Sequence, residues 1–229
     1  MNISKKRKNM IENLDIKKTY EPIEAIKILK EKSYVKFNET IDVSINLGID
    51  SNKTDQNIKG ITNLPKGTGK KIILAVITGE NKQSEARENG ADLVGEKEIV
   101  ENISSNKIEF DVLIASPDMM PALGKVAKIL GPRGLMPNPK LGTVTNDIAK
   151  AVKDAKSGQV KFKNDKAGIV HAGIGKLDFK EEDILENLKT LYSSIVKSKP
   201  DAVKGSFIKK VTIASTMGIG LQINQASLR

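Results

Sequence analysis

A short stretch rich in proline and glycine, residues 131–145, limits the folds that this chain can adopt more than any other segment. It contains three of the eight prolines of the chain and three glycines. Proline removes a backbone hydrogen-bond donor and restricts the residue before it, so neither a regular helix nor a central strand can pass through. The stretch also carries four large apolar side chains: Leu135, Met136, Leu141 and Val144. Two interpretations remain open, a rigid and well-packed loop or a recognition surface that exposes Arg133 and Lys140.

The net charge of the chain points to a polyanionic partner. Its 229 residues contain 38 Lys and Arg against 28 Asp and Glu, which gives a formal net charge of +10. Such an excess favours nucleic acid over an anionic membrane. Aromatic side chains are scarce, with five Phe, three Tyr and no Trp, so a single-strand binder that stacks bases on aromatic rings is disfavoured. Folded RNA, which is read through its backbone and shape, suits this composition better.

The cysteine and apolar content narrow the class of protein further. The lack of Cys excludes a disulfide framework and a zinc-thiolate site. No apolar run reaches the length of a membrane span, and the amino terminus lacks the apolar region of an export signal. We therefore expect a soluble, cytoplasmic protein without a membrane partner. The basic run Lys5-Lys6-Arg7-Lys8 is either a solvated terminus or an arm that lies on nucleic acid.

The hydrophobic pattern changes at two glycine-containing breaks, near residues 66–71 and 157–158. Between the breaks, continuous apolar runs alternate with helical patterns, which is typical of a parallel sheet covered on both faces. Outside them, strands with one buried face accompany amphipathic helices that begin near Pro22 and Asp178. We therefore predict an α/β fold with two domains. Residues 1–67 and 159–229 form a discontinuous terminal domain with an antiparallel sheet, and residues 68–158 form an inserted, doubly wound, Rossmann-like domain.

Four local predictions are specific enough for the structure to test. Alternating apolar residues predict a strand over 36–47. Residues 160–163 and 167–175 are predicted to pair as antiparallel strands through a turn at Asn164, Asp165 and Lys166. Residues 207–224 are predicted as one long strand interrupted at 216–220, where glycines suggest a bulge or a close backbone approach. Residues 117–130 are predicted as a single helix.

Charge is divided unequally between the two predicted domains. Residues 68–158 contain 13 Lys and Arg and 12 Asp and Glu, whereas the flanking segments contain 25 and 16. Nearly all of the positive excess therefore lies on the terminal domain. Because phosphate neutralisation dominates nucleic-acid affinity, we expect the nucleic-acid face on that domain.

Motifs for catalysis and for cofactor binding fail when they are tested residue by residue. A phosphate-binding loop over residues 66–71 would need Gly at position 64 and Ser or Thr at position 71, which hold Leu64 and Lys71. His171 is the only histidine, and a lone histidine is more often structural than catalytic. No metal-ligand spacing and no nucleophile elbow occurs. We therefore expect no enzymatic activity, no cofactor and no metal, although an enzyme that uses the carboxyl ends of the middle sheet remains an alternative.

Several segments carry a resemblance to a known family. Residues 129–140 read Ile-Leu-Gly-Pro-Arg-Gly-Leu-Met-Pro-Asn-Pro-Lys and resemble the signature of the large-subunit ribosomal protein number one family. Residues 36–40, 64–70, 164–172 and 215–218 also resemble segments of this family, in the expected order. The resemblance covers essentially the whole chain. The family combines a discontinuous terminal domain with an inserted doubly wound domain, which agrees with the division predicted above.

The resemblance implies a set of ribosomal RNA contacts on the terminal domain. They are Lys36, Phe37, Thr40, Asp165, Lys166, Thr216, Met217 and Gly218. Phe37 and Met217 would offer apolar surface to sugars and bases, and the two threonines could hydrogen-bond 2′-hydroxyl groups. Gly218 would let the backbone approach RNA closely. From pattern alone, core packing is the favoured interpretation of Phe37 and Met217.

The resemblance also implies a cellular role. The family is a structural constituent of the large ribosomal subunit at its mobile lateral stalk, assists the release of deacylated tRNA from the exit site, and in bacteria represses its own messenger RNA. By the same resemblance the free protein is expected to be a monomer.

The chain departs from the family pattern at Gly173 and Ile219, where proline is usual. A nucleic-acid-binding regulator outside the ribosome would share the basic flanks and remains the alternative.

Overall fold

The chain forms two compact units, Met1–Gly69 with Val160–Arg229 (the terminal unit) and Lys70–Gln159 (the middle unit). The computed structural model describes residues 11, 14–15, 18–105, 107–203 and 205–228. The basic run at positions 5–8 lies outside the described residues. Within those residues, none of the helices has the length and apolar content that a bilayer crossing needs.

In chain order, the strands and helices of the described residues begin and end as follows. They are β1 (Thr19–Tyr20), α1 (Pro22–Glu31), β2 (Thr40–Leu47), β3 (Lys59–Asn63), β4 (Leu74–Ile77), α2 (Gln83–Glu88), β5 (Leu93–Gly95), α3 (Lys97–Ser104), β6 (Val112–Ala115), α4 (Met120–Gly124), α5 (Ala127–Leu130), α6 (Ile148–Lys156), β7 (Gln159–Lys163), β8 (Ile169–Lys176), α7 (Glu181–Lys197), β9 (Ile208–Ser215) and β10 (Leu221–Ile223). The mixed α/β class predicted from the sequence is confirmed.

The terminal unit is built on a five-stranded sheet in the order β1-β10-β9-β2-β8. Strand β2 is antiparallel to both of its neighbours, β8 and β9. Its alternate residues Ile41, Val43, Ile45 and Leu47 are buried in one core with apolar residues of α1 and α7. Helix α1 starts with Pro22, whose missing N–H is harmless in a first turn. Helix α7 has three acidic residues in its first turn and Lys197 in its last, an arrangement that the helix dipole favours.

Strand β7 does not pair with β8 as the sequence predicted. It pairs with β3 in a separate two-stranded sheet, and only an isolated bridge joins Asn164 to Val170. The side chain of Asn164 explains the change of partner, because its Oδ1 accepts a hydrogen bond of 2.7 Å from the backbone N of Ile58. The ring of Phe162 covers Gly60, where a Cβ atom would lie 2.6 Å from the ring. Strand patterning gives the buried face of a strand but not its neighbour.

Two further strand predictions for the terminal unit are wrong in detail. Strand β2 begins at Thr40, so residues 36–39 are not part of it. Residues 207–224 form two antiparallel strands, β9 and β10, in which Leu221 pairs with Ile213. The turn between these strands starts with a hydrogen bond of 3.1 Å from the backbone N of Gly218 to the carbonyl of Ser215. The glycines therefore mark a chain reversal instead of a bulge in one long strand.

The middle unit contains a parallel sheet in the order β5-β4-β6. Alternate residues of β4 enter two different cores, with Ala75 and Ile77 on one face of the sheet and Leu74 and Val76 on the other. Residues of α3, α4 and α5 pack on the first face, and residues of α2 and α6 pack on the second. This arrangement explains why the strands appear in the sequence as continuous apolar runs.

The helix predicted over residues 117–130 is broken into shorter pieces. A 3₁₀ turn at Pro117–Met119 leads into α4, and α5 follows after Lys125 and Val126. The break comes directly after Gly124, and glycine is the residue type that disfavours a helix interior most after proline.

The proline- and glycine-rich stretch 131–145 is a packed loop. Leu135 and Met136 contact the core under α4 and α5, and Pro137 is buried. The buried hydroxyl of Thr143 accepts a hydrogen bond from the backbone N of Asn138 and donates one to its carbonyl, at 2.8 and 3.2 Å. Val144 forms a parallel bridge to Ala115 at the edge of the sheet. Arg133 is exposed, and the side chain of Lys140 lies outside the described part of the chain.

Candidate nucleic-acid interface

The eight residues predicted to contact RNA fall into two clusters at opposite ends of strand β2. The first cluster lies at the amino end of β2 and comprises Lys36, Phe37, Thr40, Thr216, Met217 and Gly218. The second cluster lies at the carboxyl end of β2 and comprises Asp165 and Lys166, which precede β8. Thr40 pairs with Lys176 and Asn46 pairs with Ile169, so β8 starts where β2 ends. At about 3.3 Å per residue, the two clusters are roughly 23 Å apart.

Glu39 joins the two loops of the first cluster, and sequence reasoning did not single it out. Its side chain is only 1% exposed. One carboxylate oxygen accepts a hydrogen bond of 2.7 Å from the backbone N of Met217, and the other accepts one of 2.8 Å from the Ser33 hydroxyl. The backbone carbonyl of Glu39 accepts from Leu177 N at 3.0 Å. A buried carboxylate therefore fixes Met217 relative to the loop that carries Phe37.

The two threonines of the first cluster can make different hydrogen bonds with a ligand. The Thr216 hydroxyl accepts from Thr40 N at 3.0 Å and donates to the Thr40 carbonyl at 3.3 Å, so its only proton is already used. The Thr40 hydroxyl accepts from the Lys176 ammonium at 2.8 Å, which leaves its own proton available. Since a hydroxyl has one donor and two acceptor positions, Thr40 can donate to a ligand and Thr216 can only accept.

The large apolar side chains of the first cluster are exposed. Phe37 is 54% exposed and Met217 is 49% exposed. The interpretation that these two residues belong to the core is therefore wrong. Tyr34, a few residues before Phe37, is also exposed, and the sequence analysis had not selected it. Large apolar side chains held outside the core on fixed loops are typical of a binding surface.

Glycine at position 218 leaves space for the Ser215 hydroxyl. A Cβ atom built there would lie 2.3 Å from the Ser215 hydroxyl oxygen, far inside contact distance. The Ser215 hydroxyl is buried and has no hydrogen-bond partner within the described residues. Any side chain at position 218 would therefore displace Ser215 or the turn. Close approach of RNA to this backbone remains a prediction.

The second cluster is held by local contacts. The Asp165 carboxylate accepts hydrogen bonds from the backbone N atoms of Ile169 and Ala167, at 2.8 and 2.9 Å. The Ile169 amide, followed by the Ala167 amide and the charge of His171, holds the pKa of Asp165 below its ordinary range. The Lys166 side chain is exposed, and its backbone carbonyl accepts a hydrogen bond from the Ser51 hydroxyl. Asp165 therefore shapes the turn, and Lys166 is the member of this cluster that can meet a phosphate.

A polar face of the sheet lies between the two clusters. Asp42, Ser44 and Asn46 alternate with the buried residues of β2 and face away from α1 and α7. Ser44 Oγ lies 2.9 Å from Nδ1 of His171 on the adjacent strand. Asp42 is exposed as a residue, but partial desolvation of its carboxyl by neighbouring atoms raises its pKa, against the opposing charges of Lys176 and His171. The face offers hydroxyl, amide and imidazole groups along the line that joins the clusters.

Comparison with known proteins gives a consistent result. A family model described as the ribosomal protein L1p/L10e family matches residues 29–219. A protein named large ribosomal subunit protein uL1 from Actinobacillus succinogenes is 50% identical over 226 residues, which cover 99% of each chain. Its counterpart of the same name from Pasteurella multocida is 51% identical with the same coverage. The protein of that name from Rickettsia bellii is 54% identical over 204 residues, which cover 89% of this chain and 85% of the relative.

Proposed function

Since the chain belongs to the ribosomal protein L1p/L10e family, we propose that it is a structural constituent of the large ribosomal subunit that binds large-subunit ribosomal RNA. The terminal unit provides the RNA site. The observation that carries this assignment is the exposure of Phe37 and Met217 on two loops that the buried Glu39 holds together. Apolar side chains fixed in this way can pack on sugars and bases without a further ordering cost.

Recognition combines shape, hydroxyl contacts and charge. Phe37 and Met217 pack against riboses or unstacked bases, and the Thr40 hydroxyl donates to a phosphate or a 2′-hydroxyl group. Thr216 accepts from a 2′-hydroxyl, since its own proton is used inside the protein. Lys36 and Lys166 neutralise phosphates at the two ends of the site. A site that reads 2′-hydroxyl groups distinguishes RNA from DNA.

The family resemblance supports a finer assignment. Bound to ribosomal RNA at the mobile lateral stalk of a cytoplasmic ribosome, the protein assists the release of deacylated tRNA from the exit site. As a free monomer it binds its own messenger RNA and represses translation. Repression would require the messenger to present the same arrangement of bases and hydroxyls as the ribosomal site, because one surface serves both. A reporter that carries the leader of the protein's own messenger tests this claim, which would be rejected if added protein left reporter synthesis unchanged.

Co-sedimentation with large ribosomal subunits across a salt series tests the main assignment. Wild-type protein should bind stripped subunits, and a variant with both Phe37→Ala and Met217→Ala should bind poorly at every salt concentration. The matched control is Ile23→Ala, which removes an exposed apolar side chain from the first turn of α1, outside the predicted contacts. Equal binding by the double variant and the control would contradict the site. Preference of wild-type protein for duplex DNA over folded RNA would instead indicate a regulator outside the ribosome.

A further inference from the structure

A groove opens in the terminal unit beside the carboxyl end of α7. Its volume is about 600 Å³, which lies within the range of sites for small molecules. The residues that line it come from the last turns of α7, from the segment that leads into β9 and from the turn of residues 225–228. None of these residues belongs to either cluster of predicted RNA contacts, so the groove needs an explanation of its own.

The inner surface of the groove is mainly apolar. Tyr192, Phe207, Ile208 and Leu228 line it and are otherwise buried in the core of the terminal unit. Val196 follows Tyr192 by one turn of α7 and also lines the groove, but its side chain is 43% exposed. A large apolar side chain that stays exposed beside an apolar groove offers contact area to a ligand.

The rim of the groove is positively charged. Lys197 and Lys199 lie on it, both are exposed, and neither makes an ion pair with another of the described residues. Residues 193–210 contain five Lys and a single Asp. The Glu21 carboxylate, which borders the turn of residues 225–228, already accepts a hydrogen bond from the Ser227 hydroxyl. Two ammonium groups without a counter-ion therefore favour an anion at the rim.

The hydroxyl groups of the groove cannot donate to a ligand. The Ser193 hydroxyl donates to the carbonyl of Thr190 at 2.9 Å, and the Ser206 hydroxyl donates to the carbonyl of Ile208 at 3.1 Å. Since each hydroxyl has one proton, the strong donors that remain are the two lysines of the rim. A ligand would therefore place its charged end at the rim and its apolar part inside the groove.

We propose that this groove binds a small amphipathic carboxylate, with its apolar body against Tyr192, Val196 and Phe207 and its carboxylate beside Lys197 and Lys199. The carbonyl groups at the end of α7 carry partial negative charge, which favours a singly charged carboxylate over a phosphate group. An RNA phosphate would also leave the apolar interior unused. Eleven described residues line the groove, fewer than the roughly 20–30 that a typical protein interface takes from each partner.

Calorimetric titration of the RNA-free full chain with dodecanoate, kept below its micelle concentration, tests the proposal. Wild-type protein should bind one molecule saturably. A variant with Lys197→Gln and Lys199→Gln should lose roughly tenfold in affinity, because it lacks both charged donors. The matched control carries Lys150→Gln and Lys153→Gln, two exposed lysines of α6 in the middle unit, and should bind like wild type. Equal losses in the two variants, or no saturable binding by wild type, would overturn the proposal.

Two substitutions of Val196 separate the charge of the rim from the apolar contact. Val196→Glu and Val196→Lys remove the same exposed side chain, so both should leave the urea midpoint nearly unchanged. Val196→Glu should bind dodecanoate at least several times more weakly than Val196→Lys, because the new carboxylate repels the ligand. Equal affinities would overturn the charge argument. Binding of dodecyltrimethylammonium as tight as that of dodecanoate would overturn it as well.

A further titration keeps this proposal apart from the proposed function. The variant with Phe37→Ala and Met217→Ala should bind dodecanoate like wild type, since neither residue lines the groove. Loss of dodecanoate binding in that variant would move the ligand to the predicted RNA site and overturn the assignment to the groove. If wild-type protein failed to bind ribosomal subunits, the proposed function would fall while the dodecanoate titration still decided the role of the groove.

Discussion

The two ends of strand β2 carry predicted RNA contacts that are held in opposite ways. At the amino end, Glu39 and Met217 are 178 residues apart in sequence and are joined by one hydrogen bond. At the carboxyl end, Asp165 bonds to backbone amides only two and four residues further on. The first cluster exists only when distant parts of the chain are assembled, whereas the second is shaped by its own turn. A substitution should therefore propagate between loops in the first cluster and remain local in the second.

The largest expected effect comes from Glu39→Ala. The change leaves the partly buried Met217 N and Ser33 hydroxyl without their acceptor and should lower the free energy of unfolding by about 1–3 kcal/mol. RNA affinity should fall as well, because the 216–218 turn loses its anchor. Simple electrostatics predicts the reverse, since removal of a negative charge should favour RNA. Urea unfolding and RNA titration on the same variant distinguish the two outcomes, and tighter RNA binding would refute the anchoring role.

Gly218→Val should have the next largest effect. A β-branched side chain would overlap the Ser215 hydroxyl, which costs stability, and would also hold RNA away from the backbone of the turn, so affinity should fall by about 2–3 kcal/mol. Adding Ser215→Ala removes that overlap and should restore stability without restoring affinity. At the other end of β2, Gly168 has a φ of 75°, and Gly168→Ala should cost about 1–2 kcal/mol of folding stability through strain. Its RNA affinity should stay close to wild type, and a loss equal to that of Gly218→Val would remove the distinction between the two ends.

Met217→Ala should act on binding and leave folding nearly unchanged. The side chain is half exposed, so the urea midpoint should barely move. Affinity for ribosomal RNA should fall by roughly 1–3 kcal/mol, by analogy with the loss of a stacking side chain. Lys166→Ala at the second cluster should instead lower the salt slope by about one. Lost stability with unchanged affinity in Met217→Ala would exclude it from the site.

The smallest expected effects concern pH. The folded state lowers the pKa of Asp165, so its stabilising contribution is complete above the ordinary carboxyl range and is lost as pH falls through the lowered pKa. Asp42 has a raised pKa, so its ionised form destabilises the fold at neutral pH and this cost disappears on acidification. At pH 7, Asp165→Asn should therefore lower the urea midpoint and Asp42→Asn should raise it. The Asp165 difference should shrink below about pH 4, whereas the Asp42 difference should already shrink at higher pH, as the pH falls through the raised pKa of Asp42. Midpoints that shift in the same direction at pH 7 would contradict the assignment.

The hydrophobic pattern of the sequence correctly predicted the strands whose side chains are buried on one or both faces. Ile41, Val43, Ile45 and Leu47 alternate strictly, and they form the buried face of β2 in the structure. The apolar runs of β4 and β6 predicted a sheet covered on both sides. The partner of β7 could not be predicted, because alternation fixes a face and not a neighbour, and the Asn164 side chain decides the pairing.

The site was predictable only in part. Charge predicted a nucleic-acid face on the flanking segments, and the family resemblance supplied residues 216–218 as candidates. The pattern alone assigned Phe37 and Met217 to the core, since large apolar residues are usually buried there. Glu39 was missed for the converse reason, because an acidic residue is rarely buried unless it has partners, and those partners lie in distant segments. Both the core interpretation of Phe37 and Met217 and the omission of Glu39 arose because local sequence patterns do not show contacts between distant segments.

The order of strands in the terminal sheet has a consequence for synthesis on the ribosome. Strand β2 leaves the exit tunnel early, yet both of its neighbours, β8 and β9, come from residues beyond 168. The middle unit is continuous in sequence and can complete its parallel sheet while β2 still has two open edges. Unpaired strand edges invite pairing with other chains, so we expect the nascent amino-terminal segment to need protection by chaperones until β8 and β9 have emerged.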